Sequence, residues 1–456
     1  MTTVSQIEDA LQAIFGHADQ VAHDTGFVQR RYKGKLTGAR FAVTQTLGLL
    51  VPGGGALSDL AYFATHVGAH LSAQALDQRF GETTATFFKE LLNIAFTQLV
   101  AADPVAIPLL QRFSEVMVED SSTFSLPDDL QAVWQGCGGR TEGTLSAFKI
   151  QVRWDLCSGA FKGMALQDGK TPDTRSPLKQ QRRCACSVRD ADLGYFDTAV
   201  FQQEEEAGEY YFSRYKPGNL KLFDEQGQEM ELVSFLQAHA HEQAYECWVQ
   251  VGDARRVRAR LLAIPVPEEV AIKRQSASKR KAQKHSRKVK PRLLDLAHWT
   301  LLLTNIPQEA LSIGEALILL RLRWQIELLF KLWKHYAQAD TSRSEQPWHV
   351  LCDFYAKLLG MLIVHWFMIA GCWQVPSRSM VKASKAICSQ LVLLAKALGG
   401  TLDLHWVIQQ IIEDLPMCRM NPRRKHPNAY QLLLVGPPSS PGSACQTPEA
   451  LASPLA

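Results

Sequence analysis

The sequence predicts an α/β protein in which a helical N-terminal part precedes a strand-rich core that contains an insertion. Residues 1–110 show the apolar spacing of helices. From about residue 114, SEVMVED is predicted as a strand, and TLSAFKIQVRWDLCSG and GAFKGMALQDG alternate apolar and polar residues as strands do. Helical spacing returns in RLRWQIELLFKLWK, residues 321–334. With 456 residues, the chain is long enough for two or three domains.

The N-terminal part contains a candidate helix-turn-helix in ALSDLAYFATHVGAHLSAQALDQRF, residues 56–80. The pattern predicts one helix, a break near Val67-Gly68-Ala69-His70, and a second helix capped by Ser72. Such a second helix can enter a DNA major groove. An ordinary helical hairpin fits the spacing equally well, so both interpretations stay open.

The core places acidic residues where strands end. SEVMVED is predicted as a strand that ends at Asp120, and RRCACSVRDADLGYF as a strand that leads into Asp190 and Asp192. GEYYFSRY follows as another strand, and a β-leaning segment, 216–292, separates it from HWTLLLTNIP. Strands with terminal carboxylates, an insertion and a late helix are typical of an α/β nuclease core.

A basic run closes the insertion. KRQSASKRKAQKHSRKVKPR, residues 273–292, contains ten Lys or Arg and no acid, although the whole chain has a net charge of only +4. Such a run can be a solvated loop, a disordered arm or a phosphate-binding surface. The candidate phosphate contacts are Lys279, Arg280, Lys281 and Lys284.

Several other classes of protein are disfavoured. The ten cysteines show no repeated CxxC pair, which argues against a zinc site or a disulfide framework and favours reduced thiols in a cytosol. The first twenty residues lack a basic-then-apolar signal peptide. LLGMLIVHWFMIAGCW, residues 358–373, is shorter than the roughly 20 residues of a spanning helix, so we expect a buried core helix and no membrane partner.

The helix predicted at 321–334 carries a narrow charged stripe. At about 100° per residue, Arg323 and Lys334 fall roughly 40° and 20° from Glu327. Arg323 and Lys331 are both i,i+4 partners of Glu327, and such pairs commonly decorate a solvated face. Here apolar residues cover most of the circumference, which indicates a largely buried helix whose charges face a cleft.

Three carboxylates are therefore candidates for one site, namely Asp120, Asp192 and Glu327. Hard cations such as Mg²⁺ prefer oxygen ligands, and phosphodiester chemistry benefits from two ions roughly 3.5–4 Å apart. Spacing alone does not select these three, because the chain has 45 acidic residues.

The selection comes from a resemblance to DDE-type insertion-sequence transposases of the Tyr-Arg-Glu-Lys signature group, insertion-sequence family four. That signature spaces Arg, Glu and Lys as Arg323, Glu327 and Lys334 are spaced here, within RLRWQIELLFK. VEDSSTFSLPDDL with WQGCGG resembles the region of the first catalytic aspartate, which implies Asp120. DADLGYFD followed by GEYYFSRY resembles the region of the second, which implies Asp192 with Asp190 as the fallback. LSAQALDQRF resembles the family's N-terminal DNA-binding region.

The resemblance implies a ribonuclease H-like core and cut-and-paste transposition. It implies Mg²⁺, with Mn²⁺ as a substitute and two ions per site, held by Asp120, Asp192 and Glu327. It also implies a homodimer on paired element ends, with target DNA as the further partner, in the bacterial cytoplasm at the nucleoid. Arg323 and Lys334 would grip DNA phosphates, and Lys331 is a further candidate contact. Trp299 matches a tryptophan that stacks on a flipped base, although a core tryptophan fits equally well.

The domain boundaries follow from these segments. The predicted division is 1–110, helical and DNA-binding; 111–215, the first part of the core; 216–292, the β-rich insertion with the basic run; 293–380, the second part of the core; and 381–456, a C-terminal helical region with a flexible tail.

The chain departs from the signature at one position. Leu320 stands where the family has the tyrosine that contacts a phosphate near the cut. Its loss removes a hydroxyl donor but no metal ligand. The two alternatives to an active transposase are a DDE-fold nuclease that does not join DNA and a non-catalytic DNA-binding protein derived from a transposase.

Overall fold

The structure is a computed structural model, and it describes residues 2–28, 36–139, 144–218, 220–253, 255–284, 286, 288–375, 377–421 and 429–435. The chain forms two compact units, each assembled from three segments. The first unit comprises 1–106, 120–178 and 325–421, and the second comprises 107–119, 179–324 and 422–456. This division differs from the linear domains predicted from the sequence, which stay a prediction.

The described strands run in chain order as β1 Val116–Leu126, β2 Ser146–Asp155, β3 Phe161–Asp168, β4 Val188–Ala191, β5 Tyr210–Arg214, β6 Leu222–Phe223, β7 Tyr245–Val251, β8 Val257–Pro265 and β9 Trp299–Thr304.

The described α-helices are α1 Thr3–Leu11, α2 Ala18–Asp24, α3 Gly38–Gly48, α4 Leu57–Ala64, α5 Ala73–Asp77, α6 Glu82–Thr97, α7 Thr198–Glu206, α8 Leu232–His239, α9 Glu268–Lys284, α10 Pro291–Asp295, α11 Ile313–Leu322, α12 Trp324–Lys331, α13 Pro347–Cys372, α14 Met380–Ser389, α15 Leu391–Leu398, α16 Leu404–Glu413 and α17 Ala429–Val435.

The first unit is built around α13. This helix is apolar on nearly all sides and packs against α3, α6, α14 and α16. It is long and apolar enough to cross a membrane by composition, but 89% of its most apolar window is buried within the protein. A helix that is hydrophobic all round belongs to a core or a membrane, and this burial confirms the predicted core helix. The antiparallel hairpin of β2 and β3 belongs to the same unit, in register from Phe148↔Asp168 to Trp154↔Phe161.

The N-terminal break is confirmed. α4 ends at Ala64, Gly68 adopts a left-handed conformation with φ of 72°, and the Ser72 hydroxyl accepts a hydrogen bond from the Ala75 N–H at the start of α5. Glycine suits this conformation because it has no Cβ. α5 is short and spans only five residues.

The second unit is a mixed sheet with helices. Its strand order is β1-β4-β5-β9-β8-β7-β6, in which β1, β4 and β5 are parallel and the remaining pairs are antiparallel. α7 connects the parallel strands β4 and β5, as helices do in βαβ units. Alternate residues of β7 and β8, including Val249 and Leu261, pack against Leu232 and Leu236 of α8.

The predicted end of the first strand is wrong. β1 does not stop at Asp120 but continues to Leu126. Beyond Asp120 the strand alternates, with Phe124 and Leu126 buried and Thr123 and Ser125 exposed. That pattern is typical of a half-buried strand, and the polar stretch Ser121-Ser122-Thr123 concealed it in the sequence.

The single helix predicted over 321–334 is in fact two α-helices and a turn. α11 ends at Leu322 and α12 begins at Trp324, although Arg323 between them keeps helical angles (φ −51°, ψ −32°). A π-helical turn, Leu332–Tyr336, follows α12 and contains Lys334. The helical-wheel angles of an unbroken helix therefore do not hold across the whole stretch.

The insertion is mixed rather than β-rich. Helices α8 and α9 accompany β6, β7 and β8, and α9 contains much of the basic run. The first turn of α9 carries Glu268 and Glu269 and its last turn carries Lys281 and Lys284, an arrangement that complements the helix dipole. His285 and Arg287 of the run lie outside the described residues.

Candidate functional site

Asp192 lies directly after β4, at the end of a parallel strand of the second unit. Its side chain is 39% exposed. Asp190 precedes it within β4 and is only 3% exposed. The two acidic residues therefore differ sharply in access to solvent, although their side chains lie on the same face of the strand by alternation.

Two arginines hold the Asp192 carboxylate. The Nη2 atom of Arg214, the last residue of β5, lies 3.2 Å from Asp192 Oδ1 and donates a hydrogen bond to it. Arg323 Nη1 lies 3.7 Å from the same oxygen, and the Arg323 side chain is only 4% exposed. The negative charge of Asp192 is therefore compensated by two guanidinium groups of the protein itself.

Asp190 is buried, and its pKa is shifted upwards. Burial raises the pKa of Asp190 to about 8; Arg323 and Arg214 oppose the shift, and the negative charge of Asp192 adds to it. Within the described part of the chain, Asp190 Oδ2 is buried without a hydrogen-bond partner. Asp190 is therefore largely protonated at neutral pH.

Asp120 lies in the part of β1 that belongs to the first unit and is half-buried. Its Oδ1 accepts a hydrogen bond of 2.8 Å from the backbone N–H of Ser121. The Ser121 hydroxyl in turn donates to Asp173, which also forms an ion pair with Lys149 at 2.9 Å. This network fixes the backbone beside Asp120.

Glu327 and Lys334 of the signature also belong to the first unit. Glu327 is half-buried on α12. The Lys334 ammonium donates to the carbonyl of Thr123 in β1 and lies 4.7 Å from the centre of the Phe124 ring. Burial lowers the pKa of Lys334, and Asp340 opposes that shift. Lys331 is exposed. Lys334 thus reaches the strand that carries Asp120.

The candidate phosphate contacts on α9 are all exposed, as a phosphate-binding surface requires; they are Lys279, Arg280, Lys281 and Lys284. Arg274 of the same helix behaves differently. It donates to the Trp299 carbonyl at 3.1 Å and to the Thr300 hydroxyl at 3.0 Å, so it anchors the helix to β9.

Comparison with known proteins identifies the family. The model of the family described as "Transposase DDE domain" matches residues 111–363, more than half of the chain. The chain is 25% identical over 393 residues to the transposase for insertion sequence element IS231F of Bacillus thuringiensis subsp. israelensis, covering 79% of each chain. It is 24% identical over 366 residues to the transposase for element IS1151 of Clostridium perfringens, covering 76% of each.

The chain belongs to the DDE transposase family. The match confirms that this protein is an insertion-sequence transposase, an enzyme that acts on DNA through the metal-dependent cleavage and strand transfer of its family. A further similarity, 25% identity over 229 residues, is to the putative transposase InsL for element IS186A of Escherichia coli strain K12, and it covers 49% of this chain and 61% of that one. The mixed α/β fold is consistent with a ribonuclease H-like transposase core.

The family implies a divalent metal, and the donor chemistry of this transposase fits one. Asp120, Asp192 and Glu327 are carboxylates with partly exposed side chains, and hard divalent cations prefer such oxygen ligands. Among the described residues, no group of three or more His, Cys, Asp or Glu side chains is already close enough to hold an ion. The chemical types of the ligands therefore fit a metal, whereas a pre-assembled cluster is not seen in the described ranges.

Two residues that the sequence placed in or beside the signature, Trp299 and Leu320, are buried among apolar side chains. Trp299 is 7% exposed, and its indole N–H donates to the Ala240 carbonyl at 2.8 Å within the core of the second unit. This burial favours the second of the two interpretations of Trp299, a core tryptophan. Leu320 is 8% exposed, in the apolar packing of α11.

Sequence reasoning missed Arg214. Its signal was present, because the strand YYFSR, Tyr210–Arg214, is otherwise aromatic or small and ends in an arginine one strand away from RDADLGYF. Parallel neighbours bring their carboxyl ends to one edge, so a cation at the end of β5 can pair with a carboxylate at the end of β4.

Proposed function

We propose that Asp120, Asp192 and Glu327 supply the carboxylate ligands for the metal with which this transposase cuts element ends and joins them to target DNA. The observation that supports this most directly is the register of β1 and β4. These strands are parallel and pair through Val118↔Asp190 and Glu119↔Ala191. Asp120 follows Glu119 in β1, and Asp192 follows Ala191, the last residue of β4.

The contrast between Asp190 and Asp192 supports Asp192 as the second ligand. Asp192 is 39% exposed at a strand end, where an ion can reach it. Asp190 is buried within the strand at 3% exposure, where an ion has far less access.

The metal is proposed to be Mg²⁺, with Mn²⁺ as a substitute and two ions per site. Bound ions of this kind activate the attacking oxygen and stabilise the leaving one. The protein's own contribution is to place two arginines beside the Asp192 carboxylate. Arg214 and Arg323 balance Asp192 in the protein without DNA, and Arg323 can offer its planar guanidinium bidentately to a phosphate.

The remaining DNA contacts are proposed on two surfaces. Lys331 and Lys334 follow Glu327 along the chain, and each can serve as a point charge for a phosphate. The exposed cations of α9 provide sequence-independent affinity. The helices of residues 1–110 are proposed to bind the element end, as the family resemblance of LSAQALDQRF suggests.

The transposase is proposed to act as a homodimer on paired ends, in the cytoplasm at the nucleoid. Light scattering with and without end DNA tests the dimer: the mass per complex should correspond to two chains and two ends.

The experiment that tests the proposed function uses a labelled duplex carrying the native element end, Mg²⁺, and target DNA added or omitted. We expect a nick that exposes a 3′-hydroxyl and, with target present, a joined product. Cleavage without joining would indicate the nuclease alternative. Binding without any metal-dependent cleavage would indicate the non-catalytic alternative.

A further inference from the structure

Five charged side chains form a buried network in the second unit. They comprise two arginines and three glutamates, each at most 7% exposed; they are Glu119, Arg183, Arg189, Glu204 and Glu209. Groups of this kind are rarely buried unless they are paired, and here every member has an oppositely charged partner.

Arg189 is the centre of the network. Its Nε and Nη2 atoms donate to the two oxygens of Glu204 at 2.5 and 3.0 Å, a bidentate arrangement. Its Nη1 atom lies 3.6 Å from Glu119 Oε2. Arg183 joins the other side, with Nη1 2.6 Å from Glu204 Oε1 and Nη2 2.8 Å from Glu209 Oε2.

The network links β1, β4, α7 and the start of β5 by ion pairs, and residues of the candidate site lie in or directly after three of these elements. Glu119 lies in β1 and Arg189 in β4; Asp120 follows Glu119 within β1, and Asp192 follows the last residue of β4. Glu204 is on α7, which connects β4 to β5, and Glu209 immediately precedes β5, the strand that ends at Arg214.

The network lies on the opposite face of the strands from the acidic residues of the site. In the β1–β4 register, Met117 pairs with Arg189 and Glu119 pairs with Ala191, so Glu119 and Arg189 share one face. Asp190 projects to the other face, as does Asp120, which follows Glu119 in β1. Asp192 follows β4 with extended backbone angles (φ −68°, ψ 162°), so the alternation places it on the same face as Asp190. The charged network therefore packs on the face of β1 and β4 opposite to the acidic residues of the site.

Stability alone gives little reason for such a network. A buried ion pair often contributes no more than well-packed hydrophobic residues of similar volume, because desolvation offsets the attraction. A charge pair can instead specify the register of two strands. A one-residue slip of β1 against β4 would reverse the face of every side chain of the shifted strand and separate Glu119 from Arg189.

We propose that Glu119 and Arg189 are positioning residues, which hold β1 and β4 in the register that presents Asp120 and Asp192 to the metal. This inference rests on the proposed function of those two aspartates. Residues that orient metal ligands typically change metal affinity about 10- to 100-fold when they are altered.

The test compares Glu119→Gln with Glu246→Gln in the full-length protein. Glu246, whose side chain is 18% exposed, pairs with the buried Arg260 at 2.5 Å in the same unit, but on β7 and β8, so it is an ion-pair control away from β1 and β4. Mn²⁺ binding is measured directly by the paramagnetic signal of the free ion, beside melting temperature and end cleavage. We expect Glu119→Gln to weaken Mn²⁺ binding by about ten-fold or more and to lower cleavage at limiting Mn²⁺, with a melting temperature no lower than that of Glu246→Gln.

Arg189→Lys provides a second variant, because it keeps the charge but cannot bind Glu204 bidentately. It should show the same direction of change in Mn²⁺ affinity. Wild-type Mn²⁺ affinity in both folded variants would overturn the positioning role. Asp192→Asn in the same series separates the two proposals. If Asp192→Asn binds Mn²⁺ like the wild type, the proposed function fails. If Asp192→Asn weakens Mn²⁺ binding and the Glu119 and Arg189 variants do not, only the positioning role is removed.

Discussion

Arg323 Nη1 lies 3.7 Å from Asp192 Oδ1, so the arginine of the signature contacts the carboxylate that follows β4. The Arg323 side chain is almost fully buried, whereas Asp192 remains accessible. Arg323 therefore has two proposed roles: it balances Asp192 before DNA arrives, and it offers a guanidinium to a phosphate once DNA is bound.

Replacing Arg323 by Met should remove both roles. Because Arg214 remains 3.2 Å from Asp192, we expect a modest loss of stability, about 1–2 kcal/mol, and a fall in cleavage of at least roughly ten-fold. Thermal unfolding and single-turnover cleavage measure the two effects. Arg214→Met is the control that removes the other cation. Wild-type cleavage in folded Arg323→Met would exclude Arg323 from the site.

The exposed cations of α9 should govern salt dependence. Changing Lys279, Lys281 and Lys284 to Gln should weaken binding broadly across DNA sequences. The log–log salt slope should flatten by up to roughly 0.9 for each phosphate that the protein no longer neutralises. Glu268→Gln with Glu269→Gln, two exposed acids of the same helix, serves as the control and should not flatten it. An unchanged slope in the lysine variant would assign α9 to a solvated surface that does not touch DNA.

Leu320→Tyr tests the position where the signature has tyrosine. On an unbroken charged stripe, the new hydroxyl would reach a phosphate and raise cleavage by roughly ten-fold, since a hydrogen bond to a charged group is worth about 1.5–3 kcal/mol. The observed burial of Leu320 favours another result: overpacking that costs about 1–3 kcal/mol of stability without a gain in rate. Melting temperature and cleavage rate, measured together, decide between them, and a faster and equally stable variant would contradict the core placement.

Local patterns in the sequence predicted much of the fold. Strand alternation located β2, β3, β4 and β5, and the all-round apolar pattern predicted the buried helix α13. The Ser72 cap was readable because capping is a local side chain-to-backbone bond. In each case, the signal lies within a few residues of the feature that it predicts.

Features that depend on distant residues were not readable. Arg323 and Asp192 are 131 positions apart in the chain, and no periodicity links them (323 − 192 = 131). Trp299 packs against residues far along the chain, and its indole N–H donates to the carbonyl of Ala240, which lies in the insertion. The helical form of the basic run was hidden because high charge density is also typical of solvated loops.

His365 should make the first unit sensitive to acid. It is fully buried on α13, its Nε2 lies 2.8 Å from the Gly159 carbonyl, and it stacks on Phe161. Burial lowers the pKa of His365 to about 4; the hydrogen bond to Gly159 opposes this shift and Arg378 adds to it. Because the unfolded chain binds the proton more readily, the stabilisation is complete above the ordinary pKa of 6.5 and is lost as the pH falls towards 4.

The free energy of unfolding should therefore fall by up to about 3 kcal/mol from this group between pH 7 and pH 4. His365→Phe, which keeps an aromatic ring in the same packing, should show a shallower dependence over that range in denaturant titrations. His17→Gln, at an exposed histidine of the same unit, is the control. An equally steep dependence in His365→Phe would show that other groups cause the acid sensitivity.

The most direct test of the three-carboxylate site measures end cleavage and end binding in Asp120→Asn, Asp192→Asn, Glu327→Gln and Asp190→Asn, each with Mg²⁺ and with Mn²⁺. If the first three residues hold the metal, their variants should bind the element end nearly as well as the wild type and lose cleavage by several orders of magnitude. Asp190→Asn, which replaces a largely protonated side chain, should retain far more cleavage than Asp192→Asn. Wild-type cleavage in any of the first three would remove that residue from the site, and full cleavage in Asp192→Asn with loss in Asp190→Asn would contradict the choice of Asp192 as the second ligand.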